Sequence, residues 1–244
     1  MLYIRSSVNY KRNTAKHILF LIISIVLSIV PEEVSAQNSK SSSQILSAMV
    51  GKIRSAPSVK MEFEFLAVDK LGLQNPARES YSGSVTASGD FYKLYNSNFE
   101  LFCDGETKWM VNHSEGEVTI FHHDPGQTDI VENPMGFFTT VESAYNFPER
   151  AKSEIIKSVS PSVNGQQVWS IELKPKNKRA PYKEIVLSIN SATNQPTLVK
   201  YTSRDNSVYI VVIKEFKSLP QQLPKSIFTP PSPLPPGYKT NDLR

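Results

Sequence analysis

The chain has 244 residues, 39% of them hydrophobic, with 27 lysines and arginines against 23 aspartates and glutamates and a single cysteine. One cysteine excludes an intrachain disulfide framework, so burial must hold the fold together. Without its first 36 residues the chain keeps 23 basic and 21 acidic side chains, a net charge of +2; that balance supplies no concentrated basic face and excludes a nucleic-acid footprint.

Residues 1–36 have the pattern of a secretory signal peptide. Arg5, Lys11, Arg12 and Lys16 form a basic start, Ile18 to Val30 is an uncharged apolar run, and Val34-Ser35-Ala36 is a small-residue cleavage site. The apolar run is shorter than the roughly 20 residues that a membrane span needs. No cysteine follows it to carry a lipid anchor. Residues 37–244 are then expected as one domain, exported to the periplasm with cleavage near Ala36, and monomeric.

A first amphipathic helix follows the polar leader Gln37 to Lys40. Ser41 with Gln44 fits a capping box, Ile45, Leu46, Met49, Val50 and Ile53 share one face, and Pro57 ends the helix. From Val59 the pattern changes to period two. Val59, Met61, Phe63 and Phe65 point one way, while Lys60, Glu62 and Glu64 point to a face expected to meet water. Gly72 and Asn75-Pro76 break the run. Strands are expected around Ser80–Ser88 and Phe91–Tyr95, joined at Gly89-Asp90.

Asn98 to Phe121 reads as three antiparallel strands. Asp104-Gly105 is a hairpin signal, because glycine takes the positive φ of a tight primed turn, and Ser114-Glu115-Gly116 makes the second turn. Phe99, Leu101, Cys103, Trp109, Val111, Val118 and Ile120 are expected on one apolar face, with Cys103 an inert inward residue.

Asp124 to Arg150 leaves the strand pattern. Asn133-Pro134 starts a short helix with proline in its first turn, and Met135, Phe137, Phe138, Val141, Ala144 and Tyr145 follow at loosely helical spacing up to Pro148. This segment is either a plug in the core or a mobile lid. Further strands are expected at Glu154–Val159, Val168–Leu173, Tyr182–Ile189, Thr197–Ser203 and Val208–Phe216, about eleven in all. The proline-dense tail from Pro220 is extended or looped.

Catalytic chemistry finds no support in the motifs. There is no G-x-S-x-G elbow, no phosphate-cradling glycine loop and no H-E-x-x-H. His122 and His123 are adjacent on a strand and point to opposite faces, which disfavours a shared metal ion. No enzyme activity, metal or cofactor is expected. The aromatic residues lack the basic interleaving of an RNA stacking platform.

Asp104-Gly105-Glu106-Thr107-Lys108-Trp109, followed by a turn and a Val-Thr strand, resembles the DG-x-T-x-W signature of the periplasmic outer-membrane lipoprotein carriers, the LolA-like proteins. The resemblance runs in order from about Ser43 to Leu243. It includes Phe63-Glu64-Phe65, Gly83-Ser84-Val85, Leu173-Lys174-Pro175, Phe228-Thr229-Pro230-Pro231 and Pro236-Gly237-Tyr238-Lys239. It implies a mainly β fold, an unclosed antiparallel barrel of about eleven strands with an N-terminal helix and short lid helices over a hydrophobic cavity. It also implies acylated lipoproteins as cargo, received from an inner-membrane release complex and carried to the outer membrane, with only transient proximity to either membrane. The same fold without a transport role, as a lipid- or lipoprotein-binding sensor, is the alternative. The cavity set is then Met49 and Ile53 from the helix, Phe63, Phe65, Val85, Phe99, Leu101, Trp109 and Ile120 from strands, and Met135, Phe137, Phe138 and Val141 from the lid. In one place the chain departs from the family: Ala87-Ser88-Gly89-Asp90 stands where relatives often carry an arginine that latches the lid.

Overall fold

A single curtain of β-structure organises the computed structural model, which describes residues 39–68, 79–126, 130, 133–157, 159–234 and 236–244. The signal-peptide pattern and the break at Gly72 and Asn75-Pro76 lie outside the described residues. Helix α1 (Ser42–Ser55) leads into β1 (Ser58–Val68), β2 (Glu79–Ser88), β3 (Phe91–Asn96), β4 (Phe99–Cys103), β5 (Thr107–Asn112) and β6 (Glu117–His122). Helix α2 (Pro134–Ala144) interrupts the strands. It is followed by β7 (Tyr145–Asn146), β8 (Lys152–Ile155), β9 (Gln167–Pro175), β10 (Tyr182–Asn190), β11 (Pro196–Ser203), β12 (Val208–Leu219), a 3-10 turn at Lys225–Phe228 and β13 (Lys239–Asp242).

The spatial order is β13-β6-β5-β4-β3-β2-β1-β12-β11-β10-β9-β7, with β8 also on β9. All pairs are antiparallel except β13 with β6. The order does not return to its start, so the sheet is unclosed, as the resemblance implies. Its thirteen strands exceed the expected eleven because β7 and β13 are recruited by pairing alone. Neither shows an alternating pattern: β7 has two residues, and β13 is wholly exposed. The sheet's two runs of hairpins meet where β1 pairs with β12, and a bulge there falls between Glu62 and Phe63.

Both helices pack on one face of the sheet, here the inner face. Ile45, Leu46, Met49, Val50 and Ile53 of α1 are buried with Met61, Phe63, Val85 and Leu94 from the strands. The helical spacing of that stripe is therefore what docks α1. Its expected capping box is absent: Ser41 makes no side-chain cap bond. Backbone pairing replaces it, with Ser42 N–H donating to the Glu149 carbonyl and Ala151 N–H to the Lys40 carbonyl, both at 2.9 Å. Helix α2 starts as its sequence predicts. Pro134 occupies the first turn, and the Asn133 side chain accepts from Gly136 N–H at 2.8 Å.

The outer face is not simply solvated. Leu66, Val68, Leu198, Ile210 and Val212 are covered by Ile156 and Val163. Farther along, Phe102, Val111 and Val118 pack with Trp109, Ile120, Leu234 and Tyr238. Lys60 and Glu62 remain exposed, so the expectation of a wet second face holds only at the start of β1. Among the described residues no helix is long and apolar enough to cross a membrane.

Candidate functional site

Two openings flank the first turn of α2. The first is an apolar cavity of about 30 Å³. Phe63 and Phe65 of β1, Val85 of β2, Leu94 of β3 and Phe99 of β4 form most of its wall, and Ile130 and Pro134 close it. The second is a cleft of about 350 Å³ at the opposite end of the same strands. Ile53, Arg54 and Ala56 of α1, Ala87 and Asp90 of the β2–β3 hairpin, and His123 line it, together with Met135, Gly136, Thr139 and Thr140 of α2. Pro134 thus faces one space while Asn133, Met135 and Gly136 face the other, and one helical turn is the partition between them.

What holds the partition is partly polar and exposed. Arg54 Nη2 donates to the Thr139 carbonyl at 2.7 Å, and Ser47 Oγ donates to Glu142 Oε1 at 2.5 Å. Lys176 Nζ donates to the Ser143 carbonyl at 2.8 Å. An arginine of α1 thus ties the two helices together. The apolar part is deeper. Phe137, Phe138 and Val141 are fully buried, and the two phenyl rings meet edge to face with centroids 5.1 Å apart.

An aromatic ledge leads away from the cavity along the inner face. Phe65 stacks on Tyr81 at 4.8 Å and lies 5.8 Å from Tyr209, which stacks on Tyr201 at 5.0 Å. Tyr201 meets Tyr182, Tyr182 stacks on Tyr145, and Tyr145 meets Phe137 of α2. The Tyr145 and Tyr182 hydroxyls share a buried hydrogen bond of 2.6 Å. Phe65, Tyr81, Tyr201 and Tyr209 are half-buried, so the ledge offers flat apolar surface between the cavity and the foot of α2.

The structure distributes the residues expected at the site among four places. Phe63, Phe65, Val85 and Phe99 line the apolar cavity, and Ile53 and Met135 line the cleft. Met49, Leu101, Phe137, Phe138 and Val141 belong to the packed core beneath them. Trp109 and Ile120 are on the outer face, against expectation. Residues paired across a hairpin share a face, and Cys103 pairs with Lys108 while Phe102 pairs with Trp109. Trp109 consequently sides with Phe102, not with Leu101, and Ile120 follows because it pairs with Trp109. Thr229, Pro230 and Leu234 of the tail then bound a separate space of about 320 Å³ over these two residues.

Several residues of the cavity wall and the aromatic ledge carried no assignment in the sequence. Tyr209 and Val211 follow the same alternation as Ile213 and could have been assigned inward by it. Asn96 and Tyr81 carry polar atoms and gave no signal. Among the described residues no group of three or more His, Cys, Asp or Glu side chains is arranged to hold a metal ion. Burial pushes the Cys103 thiol above its ordinary value, which leaves it protonated and unreactive. Burial, with Lys108 nearby, pulls His123 below the ordinary imidazole range, so the ring in the cleft is neutral at pH 7.

No protein-family model matches the chain, and no curated protein matches it. Solved structures do. An uncharacterized conserved protein from Thermus thermophilus superposes with a TM-score of 0.51 at 10% identity, over 82% of this chain and 99% of its own. A LolA superfamily protein from Nitrosomonas europaea gives 0.41 at 14% identity, over 78% and 98%. A candidate outer membrane lipoprotein-sorting protein domain from Vibrio parahaemolyticus gives 0.42 at 12%, over 76% and 94%. At these identities the likeness is one of fold. The open sheet with helices on its inner face is the fold that this chain shares with the Thermus thermophilus protein.

Proposed function

We propose that this protein binds acyl chains of lipoproteins by letting them take the place of α2, and that it carries such cargo through the periplasm without chemical change. The observation that carries the reading is the position of the first turn of α2 between an apolar cavity of about 30 Å³ and a cleft of about 350 Å³. Ligand pockets hold roughly 300–1,000 Å³. The apolar cavity by itself is too small for a lipid, but withdrawal of one 11-residue helix joins it to the cleft and bares the floor beneath.

Magnitudes favour exchange over simple filling. Exposing Met135, Phe137, Phe138 and Val141 costs about 1.5–3 kcal/mol each, or roughly 6–12 kcal/mol together. Burying an acyl chain of about 16 carbons returns on the order of 12 kcal/mol. The difference is only about 0–6 kcal/mol in favour of loading, so the carrier can load and still release. A rigid empty pocket of the same size would retain its lipid far more tightly.

The test uses a fluorescent lipopeptide and its deacylated counterpart. Saturable binding of the acylated probe alone is expected. A short thiol-reactive crosslinker joining Ser47→Cys to Glu142→Cys should abolish that binding, and cleaving the linker should restore it. Equal binding of both probes, or full binding with the helices tethered, would overturn the proposal. In cells, depletion should leave lipoproteins at the inner membrane; normal sorting after depletion would favour the sensor role instead.

A further inference from the structure

The apolar cavity contains one polar group that its surroundings do not explain. Asn96 ends β3 on the inner face, opposite Gly83, and is 1% exposed. Its Oδ1 is engaged twice, accepting from Asn98 N–H at 2.8 Å and from Phe99 N–H at 3.0 Å. That double contact fixes which end of the amide is oxygen. The other end, Nδ2, is buried without a hydrogen-bond partner. An amide nitrogen brings two donors, and unsatisfied buried donors are rare because each forfeits its hydration. Apart from the hydroxyl of Tyr81, the side chains that line the cavity with Asn96, among them Phe63, Val85, Leu94 and Phe99, have no acceptor to offer.

An unpartnered donor in a wall that is greasy but for the Tyr81 hydroxyl suits a ligand that is almost entirely hydrocarbon and carries one acceptor. Water-soluble ligands would need more polar partners than this wall presents. A bare alkyl chain would leave Nδ2 as it is. An acyl chain differs from an alkyl chain in one atom that matters here, the carbonyl oxygen at its head. Asn96 borders the cavity together with Phe99, and Pro134 of α2 closes the same space. A carbonyl held at Asn96 would leave its tail free to run toward the space that α2 occupies.

Building on the proposed acyl-binding role, we infer that Asn96 Nδ2 is the recognition point for the carbonyl of the bound chain, so that the site selects acyl over alkyl lipids. The shared chemistry is an ester or amide carbonyl next to a long saturated chain. Gly83 supports it sterically. A Cβ there would come within 2.5 Å of the Phe63 ring, so glycine lets that ring lie against β2 beside Asn96.

The experiment compares monopalmitoylglycerol with its 1-O-hexadecyl ether, in which CH₂ replaces the carbonyl, by competition against a fluorescent acyl probe. N-palmitoylethanolamine distinguishes an amide from an ester source. The wild-type protein should bind the ester about fivefold more tightly than the ether, the effect of one net hydrogen bond. Asn96→Ser retains an oxygen to cap the turn but is too short to place a donor where Nδ2 stood, and the ratio should fall to about one. The wild-type comparison stands even if that variant folds poorly. Equal wild-type affinities for ester and ether would overturn the inference while leaving acyl binding intact. A fivefold preference that survives in Asn96→Ser would also overturn it. Failure of all three lipids to bind would instead remove the acyl-binding reading on which it rests.

Discussion

Gly83 shows how one missing side chain shapes the inner face. It lies in the middle of β2, where a residue without a side chain normally weakens a strand, yet a Cβ there would approach both the Phe63 ring and the Tyr95 carbonyl at 2.5 Å. The backbone carbonyl cannot swing aside as a side chain would. Gly83→Ala should therefore destabilise by about 1–3 kcal/mol, lowering the melting temperature by about 2–4 °C per kcal/mol for a domain of this size. A thermal scan checks it, and an unchanged midpoint would mean that the two strands have room to separate. Sequence patterning marked Gly83 only as part of a motif. The close approach depends on Phe63 folding over it from the neighbouring strand, which no local pattern records.

Among the elements, α2 combines a deeply buried apolar side with peripheral polar ties. Its Phe137 and Phe138 are as buried as any side chain in the core, so the choice between plug and lid does not turn on burial. It turns on what opposes withdrawal. Arg54 to the Thr139 carbonyl and Ser47 to Glu142 are exposed contacts, each contributing on the order of 1 kcal/mol. Replacing both Arg54 and Ser47 by alanine should speed amide hydrogen exchange in residues 134–144 several-fold while exchange in β1 and β12 stays slow. Equal slow exchange in the helix and in those strands of the variant would show that α2 opens only when the whole domain unfolds. Sequence spacing located this helix and its proline. The arginine that ties it down lies about 85 positions away and was unmarked.

For the whole molecule, the consequential feature is that both faces of the sheet carry apolar clusters. The tail after Phe228 crosses the outer face, with Leu234 and Tyr238 on Trp109 and Ile120, and ends by pairing β13 with β6. Tyr238 also bonds His113 Nδ1 through its hydroxyl at 2.9 Å. Without that cover β6 becomes an unprotected edge beside an apolar patch, the arrangement that invites strand addition from another chain. Ending the chain at Phe228, which is itself fully buried, should leave a cooperative fold. Tryptophan emission should shift to the red, and self-association should appear in sedimentation. A monomer with unchanged emission would show that the tail is dispensable as a cover.

Apart from β7 and β13, the sequence by itself determined the element types and their order, because period and punctuation are local: alternation marks strands, an amphipathic stripe marks α1, and Asn133-Pro134 marks the start of α2. It also determined that an apolar face must be covered by helices, since two short amphipathic segments amid strands have no other surface on which to bury their stripes. Only the tertiary structure decided which face each strand presents beyond a hairpin, because register couples Trp109 to Phe102 across a turn and the proline-rich tail makes the outer face apolar as well. It alone decided that α2 divides two spaces and that Asn96 faces the apolar one. Those are relations between residues far apart in the chain, set by pairing and packing.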